Sequence, residues 1–497
     1  AVRGHAGHYT TEGISAMRLR ISRTGKAVAV LAALSGTVLL AAALPASAQP
    51  ARARPTTQVT SADWSAYLNG PAHSSFSPGQ RAISPSTTSS LVQKWHFTAS
   101  APTKKGQPGP GFFASPTVAD GAVFIGSDNG WFYKLSEATG AVLAKIFLGY
   151  QPKLTCAGMG VVDTATVAPD PVTHEDTVYV GGPDGYLYAL KESDLVVKWK
   201  SVIAIPSAKE SDYFEWSSPT VTRGRIYIGA ASNCDVPLIH GGVYGYDQAT
   251  GKRFAQFFTV PKGVIGGSVW SSVAAGPGGD LYATTGNGVS VHQKRYYTEA
   301  IIKLSPTLHE LGFFQVPLAQ AVEDSDFGGS PTIFGNDVGA CNKNGTYYVL
   351  NRNTMALAWE DQIGGPASGN PRGQCSAAAA YDGRDLFLGA PATTVGGTAY
   401  DGSLQERDPR TGQLLWETGL LNGVLGSPSL DGAGILAAGT FGSESASTPD
   451  AFYLVNAATG AIVRTLIPGS LDFSQPVFAD GWLFTANGSG LYAWGQP

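Results

Sequence analysis

Ser115-Pro116-Thr117-Val118, Val123-Phe124-Ile125-Gly126, Trp131-Phe132-Tyr133-Lys134-Leu135 and Ala138-Thr139-Gly140 form one phrase that recurs along the chain. It returns in the same order as Ser218-Pro219-Thr220-Val221, Ile226-Tyr227-Ile228-Gly229, Val243-Tyr244-Gly245-Tyr246 and Ala249-Thr250-Gly251. Each copy reads as a short alternating strand, a turn, a second strand ending in Gly, a loop, and a third strand closing on Thr-Gly. Such a unit cannot bury both of its faces alone, so the copies must stack on one another. Repeat cores fall near 115–146, 164–200, 217–257, 268–316, 328–363, 375–418 and 425–467. A last copy, Gln475 to Trp494, stops after its third strand. Leu91-Val92-Gln93-Lys94-Trp95-His96-Phe97 lies far upstream and is worded like the segment after Thr-Gly elsewhere, Gln413-Leu414-Leu415-Trp416-Glu417. The expected fold is all-β, an eight-bladed β-propeller over 63–497 closed by this N-terminal strand, which removes the open edges. An open solenoid or a pair of β-sandwiches is the alternative, but sandwiches need no fixed internal phrase. The aromatics after Thr-Gly (Phe254 and Trp416, with Trp199 and Trp359 in less regular copies) are expected to pack between adjacent blades.

Glycine supplies 63 of the 497 residues, and charged residues only 14%, against the usual ~25%. That mix suits a β-protein with many tight turns. The net charge is −4. No basic stripe is interleaved with aromatics, so no nucleic-acid partner is expected.

Residues 17–48 read as a signal peptide. Arg18, Arg20, Arg23 and Lys26 start it, Ala27 to Leu44 is almost wholly apolar, and Ala46-Ser47-Ala48 is a small-residue cleavage site. An uncleaved membrane anchor is the competing reading, but Ser35-Gly36-Thr37 interrupts the run and Pro45 ends it. No other segment reads as a membrane span, so a secreted or extracytoplasmic protein with no stable span after cleavage is expected. Residues 1–16 precede Met17 and are expected to lie outside the mature protein; 49–62 read as a flexible leader. Four cysteines, Cys156, Cys234, Cys341 and Cys375, follow. In an oxidising compartment they suit two disulfides with three possible pairings. Neighbouring repeats favour Cys156–Cys234 and Cys341–Cys375. No Cys-x-x-Cys-His is present for c-type haem attachment.

Three further stretches carry the chemistry. Trp270-Ser271-Ser272 is followed by Asp280-Leu281-Tyr282-Ala283-Thr284-Thr285-Gly286-Asn287; Asp326-Phe327 precedes Ser330-Pro331-Thr332; and Lys343-Asn344-Gly345-Thr346-Tyr347-Tyr348-Val349-Leu350-Asn351-Arg352 opens another copy. With the Thr-Gly repeats, these resemble the quinoprotein alcohol dehydrogenase propellers, including polyvinyl-alcohol-dehydrogenase-like members. Those bind pyrroloquinoline quinone (PQQ) and a divalent cation on the ring axis. Cofactor-free propellers share the phrase, the outer-membrane assembly lipoprotein among them, so the fold alone does not settle function.

The resemblance implies that Trp270 stacks on the quinone, Asn287 binds the metal, Asp326 is the catalytic base and a further metal ligand, and Lys343 contacts the quinone oxygens. The third-blade segment, where the family carries a carboxylate near a Ser-x-x-Glu, reads Ala230-Ala231-Ser232-Asn233-Cys234-Asp235. Asp235 stands in as a shorter metal ligand, and Ser232 as a cofactor contact. Lanthanide-using relatives carry a second Asp two positions after the catalytic one; Gly328 stands there, which points to Ca²⁺. A flat tricarboxylated quinone suits an indole face and a cation, and a hard divalent ion suits oxygen ligands. Each residue also has a plainer reading. Trp270 can be blade packing, Asn287 a turn residue, Asp326 a solvated acid beside Glu323 and Asp324, and Lys343 a surface strand start.

The implied function is oxidation of an alcohol, with electrons passed to cytochrome c or another external acceptor. A non-catalytic exported scaffold that binds a protein or polymer is the alternative. A hydrolase is disfavoured because neither Gly-x-Ser-x-Gly nor a zinc motif occurs.

Overall fold

Along the strand Ala122–Gly126, Val123 and Ile125 enter one buried apolar cluster while Ala122 and Phe124 enter another. Successive side chains point to opposite faces of a strand, so an almost unbroken apolar run means a sheet covered on both sides. The computed structural model describes residues 63–497 apart from 211, 291–293, 366–373, 443–448, 469 and 471–472. The expected signal at 17–48, residues 1–16 and the leader 49–62 lie outside the described residues.

Each repeat contributes a four-stranded antiparallel sheet, and eight of these form the β-propeller; the third gains Tyr213–Phe214 and the seventh the parallel Phe76–Ser77 as a fifth strand. Blade 1 comprises Thr117–Ala119, Ala122–Gly126, Trp131–Ser136 and Val142–Phe147. Blades 2 to 7 span 166–202, 220–258, 274–315, 332–362, 380–420 and 429–466. Blade 8 takes Val477–Ala479, Trp482–Asn487 and Gly490–Gly495 from the C-terminus. Its outermost strand is Val92–Phe97, with Trp95 opposite Ala493 and Phe97 opposite Leu491. Blades 1 and 8 share one core through Val123, Ile125, Phe484 and Ala493. Among the described residues the helical turns are two short 3-10 pieces, Tyr67–Asn69 and Thr88–Ser90.

The repeated Ser-Pro-Thr earns its wording at the axis. The Thr hydroxyl of one innermost strand donates to a carbonyl of the next blade: Thr117 to Ala165 O (2.6 Å), Thr166 to Pro219 O (2.6 Å), Thr220 to Val273 O (2.5 Å). One step earlier, a backbone N–H donates to the next blade's hydroxyl. Gln475 bonds Ser115 (2.8 Å), Ser115 bonds Thr164 (3.1 Å), Thr164 bonds Ser218 (2.9 Å) and Ser218 bonds Ser272 (2.9 Å). The first of these links runs from blade 8 to blade 1.

Trp95, Trp199, Trp359 and Trp416 lie against the Thr-Gly glycine of the following blade, at Gly140, Gly251, Gly412 and Gly460. These glycines have φ of 69–73°, and a Cβ on any of them would fall 2.5–2.7 Å from the indole. Turn conformation and close approach therefore both require Gly. Phe254 departs from the expectation. It packs within its own blade against Gly245 and Tyr227 and under the Arg225 guanidinium, and is 39% exposed. The reason is register: Gly245 pairs with Ala255 and Tyr246 with Arg253, so Phe254 is the bulged residue and points away from the blade interface.

A feature absent from the sequence expectations is the path of residues 64–77 across the innermost strands. Its carbonyls accept from Val118 (Trp64 O, 2.9 Å), Val167 (Ser65 O, 2.8 Å), Ile333 (Ala72 O, 3.0 Å), Tyr381 (Ser74 O, 2.8 Å) and Leu430 (Ser75 O, 2.9 Å). With Ala275 N donating to Pro71 O (2.6 Å), six blades are tied to one segment. Tyr67 reaches from it into the axial cavity. Both favoured disulfides are formed, with Cα–Cα distances of 6.1 Å for Cys156–Cys234 and 5.5 Å for Cys341–Cys375.

Candidate active site

In an antiparallel meander, the turns between second and third strands lie at the same end as the segments entering the innermost strand. That end gathers Asp235 (after Arg225–Ser232), Asn287 (after Leu281–Thr284), Lys343 (after Asp337–Cys341), and the two entry-segment residues Trp270 and Asp326. A cavity of about 150 Å³ is lined by Ser232, Asp235, Trp270, Asp326 and Lys343, so residues from blades 3, 4 and 5 meet.

Asp326 is 3% exposed and fixed from three sides. Its Oδ1 accepts the Asn287 backbone N–H, and its Oδ2 accepts from Lys343 Nζ at 3.0 Å. A Cβ at Gly286 would lie 3.0 Å from Oδ1, so a small residue there permits the approach. Phe327 anchors the segment: it is fully buried and meets Tyr348 edge-on at 5.7 Å. Asn342 clamps the same segment, donating to Ser325 O at 2.7 Å, while Lys343 N donates to Asp326 O at 2.8 Å.

Lys343 Nζ also bonds Asp324 at 2.9 Å and lies 5.3 Å from the Trp270 ring centroid. Burial on its own would lower the pKa of this ammonium, but the carboxylates of Asp326 and Asp324 outweigh it and hold the pKa above its ordinary value. Burial, with the negative charge of Asp326 added, pushes Asp235 up to about 7. Burial likewise raises Asp324, whose side chain is 45% exposed.

Asp235, Asp324 and Asp326 each offer a carboxylate oxygen, all within 4.8 Å of one another. The Asn287 amide joins them. One of its terminal atoms lies 2.9 Å from Asp326 Oδ1 and 3.2 Å from Asp235 Oδ2. With nitrogen there, Asn287 donates to both acids; with oxygen there, three oxygens face one another, an arrangement that a proton on Asp235 or a bound cation reconciles. Three carboxylates against one ammonium leave an excess equal to the charge of one divalent ion.

The quinone side also has a fitting environment. Trp270 Nε1 and Ser376 Oγ are buried without a partner, the state expected of groups that serve a bound ligand. Gly328 closes the floor beneath them. A Cβ there would lie 2.7 Å from Ser376 Cβ and 2.8 Å from the Trp270 ring, so an Asp at 328 does not fit this arrangement. Ser232 lines the cavity but commits its hydroxyl to its own loop, donating to Pro237 O and accepting from Asp235 N, both at 2.8 Å.

Trp216 escaped the sequence reading. It lines both the axial cavity and the Asp326 cavity and donates from Nε1 to Ser232 O at 3.1 Å. The signal was present, since Trp216-Ser217-Ser218 repeats Trp270-Ser271-Ser272 one blade earlier.

Fold and site together define an eight-bladed propeller with an acidic, indole-walled cavity at one end of the ring. The chain belongs to the PQQ_2 family, described as outer membrane protein assembly factor BamB, whose model matches residues 89–234, 153–368 and 239–495. It is 27% identical over 308 residues to the dehydrogenase subunit of the quinone alcohol dehydrogenase of Gluconacetobacter polyoxogenes, covering 54% of this chain and 39% of that protein. It is 24% identical over 369 residues to quinohemoprotein alcohol dehydrogenase ADH IIB of Pseudomonas putida, covering 65% and 50%. The chain thus spans half or less of the length of these relatives. The solved quinohemoprotein alcohol dehydrogenase ADHIIG of Pseudomonas putida superposes with a TM-score of 0.68 at 16% identity, over 88% of this chain and 80% of that one.

Proposed function

We propose that the chain is an extracytoplasmic PQQ- and Ca²⁺-dependent dehydrogenase of a primary or secondary alcohol, polyvinyl-alcohol or small-alcohol in type. It passes its electrons to cytochrome c or another external acceptor. The observation that carries this reading is the convergence of Asn287, Asp235 and Asp326 on one point beside Lys343 and Trp270. When bound, PQQ supplies the two-electron acceptor and the cation a Lewis acid that polarises its carbonyl.

The remaining work falls to this chain. Asp235 and Asn287 hold the cation, with Asp326 close enough to share it. The Asp326 carboxylate takes the hydroxyl proton of the alcohol, and Lys343 Nζ keeps that carboxylate oriented through Oδ2. The same ammonium offers charge-assisted bonds to quinone oxygens. Trp270 provides the stacking face. The lack of room for an Asp at 328 supports Ca²⁺ over a lanthanide. Two disulfides support an oxidising compartment. Among the described residues no helix is long and apolar enough to cross a membrane.

The test is reconstitution. Protein titrated with PQQ and Ca²⁺ is expected to shift the quinone absorbance and to reduce a dye with some members of an alcohol panel. A titration without any absorbance shift removes the enzyme reading and leaves the exported scaffold that binds a protein or polymer through its loops.

A further inference from the structure

Asp235 is a short ligand on a long loop, and the loop is held from outside its own blade. Inside blade 3, Ser232 and Asn233 are tied down by the pairing of Ser232 with Tyr213, the Trp216 Nε1 bond to Ser232 O (3.1 Å) and the Asn233 N bond to Asp212 O (3.1 Å), while residues 234–237 meet their own blade through the Ser232 hydroxyl bonds. Across to the loop that joins blades 1 and 2, it has three ties. Cys234, the residue before Asp235, is bridged to Cys156, 78 residues away in sequence. Thr155 Oγ1 donates to Val236 O at 2.8 Å, the residue after Asp235. Asn233 Nδ2 reaches Ala157 O at 3.4 Å.

The anchoring loop is itself braced by hydrogen bonds. Gln151 and Met159 exchange backbone bonds of 2.8 and 3.1 Å, and Gln151 Nε2 donates to Tyr213 O at 2.6 Å and Pro183 O at 3.1 Å. Asp235 is thereby flanked on both sides by residues tied to a braced loop of another blade.

We propose that the Cys156–Cys234 bridge is a positioning device for the cation. It fixes the 232–237 loop so that the Asp235 carboxylate, one methylene shorter than a glutamate, meets Asn287 and Asp326 at a common point. Both cysteines act through Asp235 and neither is a ligand. The inference rests on reading the Asp235–Asn287–Asp326 cluster as a divalent-cation site. A residue that orients a ligand typically alters metal affinity 10- to 100-fold when removed, and loss of the bridge is expected to do the same.

The probe is Tb³⁺ alone, without quinone, read by luminescence sensitised through Trp270 and competed with Ca²⁺. Four proteins close a cycle: wild type, Cys156→Ser/Cys234→Ser, Asp235→Asn, and the combination. The bridge variant is expected to bind about 10- to 100-fold more weakly than wild type. In the Asp235→Asn background, losing the bridge is expected to cost nothing further, which a general loosening of the fold would not produce. If wild type binds Ca²⁺ but not Tb³⁺, the same cycle is read by Ca²⁺ calorimetry; wild type that binds neither ion overturns the cation site itself and, with it, the reading this inference rests on. Binding by wild type with equal affinity in the bridge variant, or losses that add in the combination, overturns the positioning role while leaving the site intact. If the serine variant does not fold, folded wild-type protein is reduced instead with a water-soluble phosphine. Cys234 is exposed, whereas Cys341 and Cys375 are at most 1% exposed, so peptide mapping can verify that only the first bridge has opened. Unchanged Tb³⁺ affinity after that reduction likewise overturns the proposal.

Discussion

Blades 1 and 5 build one turn and place opposite charges on it. In blade 5, Asn342-Lys343-Asn344-Gly345 closes with Gly345 N donating to Asn342 O at 2.9 Å, and Ile363 N donates to Gly345 O at 2.9 Å. In blade 1, Ser127-Asp128-Asn129-Gly130 closes with Gly130 N donating to Ser127 O at 2.9 Å, and Leu148 N donates to Gly130 O at 2.9 Å. Both glycines take positive φ, 86° and 95°. The second residue of each turn is buried, yet their surroundings differ entirely. Lys343 meets two carboxylates and an indole face. Asp128 has the backbone N–H of Phe113 at 3.0 Å and an environment that pushes it up to about 7. The scaffold is common to both blades, and the chemistry is set by what the neighbouring entry segment brings: Asp324 and Asp326 in one case, Gly111 to Phe113 in the other.

The largest effect that tests this contrast is at the partner of Lys343. Asp326→Asn keeps the size and most hydrogen bonds of the side chain but removes the basic carboxylate. Turnover is expected to fall by ~10²–10⁴ while the quinone absorbance shift persists. Full activity in that variant reduces Asp326 to a structural acid, and blade 5 then carries no more chemistry than blade 1.

Lys343→Ala gives the next effect, and it splits in sign. Quinone affinity is expected to drop by about 10- to 100-fold as a charge-assisted contact disappears. Cation affinity, read with Tb³⁺, is expected to rise, because a positive charge held against Asp324 and Asp326 competes with the metal for the same oxygens. Loss of both affinities together would mean that the variant had disordered the site rather than uncovered it. Asp128→Ala, at the matching position of blade 1, is expected to change neither.

The repeat made much of this legible before any coordinates. Ser-Pro-Thr, the alternating strands and Thr-Gly each answer to a local physical demand: a hydroxyl for the next blade, two buried faces, a glycine under an indole. Local demands show in local words, and the pairing of Leu491 to Trp494 with an upstream strand followed from one copy being a strand short. Trp270, Asn287, Asp326, Lys343 and Asp235 stood at separations that a propeller gathers at one end. Radial position was less readable. Phe254 and Ala255 are adjacent in sequence, and the bulge shared with the Trp-bearing blades leaves Ala255, four residues after Gly251 as Trp416 is after Gly412, at the position that faces the next blade. The segment 64–77 is held across six blades by its backbone carbonyls, with single side chains such as His73 and Ser75 bonding the carbonyls of Pro331 and Pro428, and neither makes a repeating pattern to read. The bracing of Asp235 by Cys156 was hidden for a similar reason, since the bridge was legible as a pair but not as a neighbour of the site.

The smallest effect lies on the blade 1 side and concerns stability alone. Asp128 is buried with no cation beside it among the described residues, and burial is the main cause of its raised pKa, offset in part by the Phe113 N–H. In the unfolded chain this group titrates near 4, while in the folded chain it holds its proton until about pH 7. Between those values the folded state binds more protons than the unfolded one, so stability falls as pH rises across the window and then levels off. Asn at 128 does not titrate and can still accept the Phe113 bond through its amide oxygen. Asp128→Asn is therefore expected to match wild type near pH 4 and to exceed it by about 1–3 kcal/mol at pH 8, under the ceiling of roughly 4 kcal/mol that a shift of about three units sets. Urea unfolding at the two pH values checks this, with PQQ titration as the control. An equal difference at both pH values would show that Asp128 does not titrate across the window. A change in quinone affinity would show that the blade 1 turn reaches the site after all, and the contrast between the two turns would fail on its structural side.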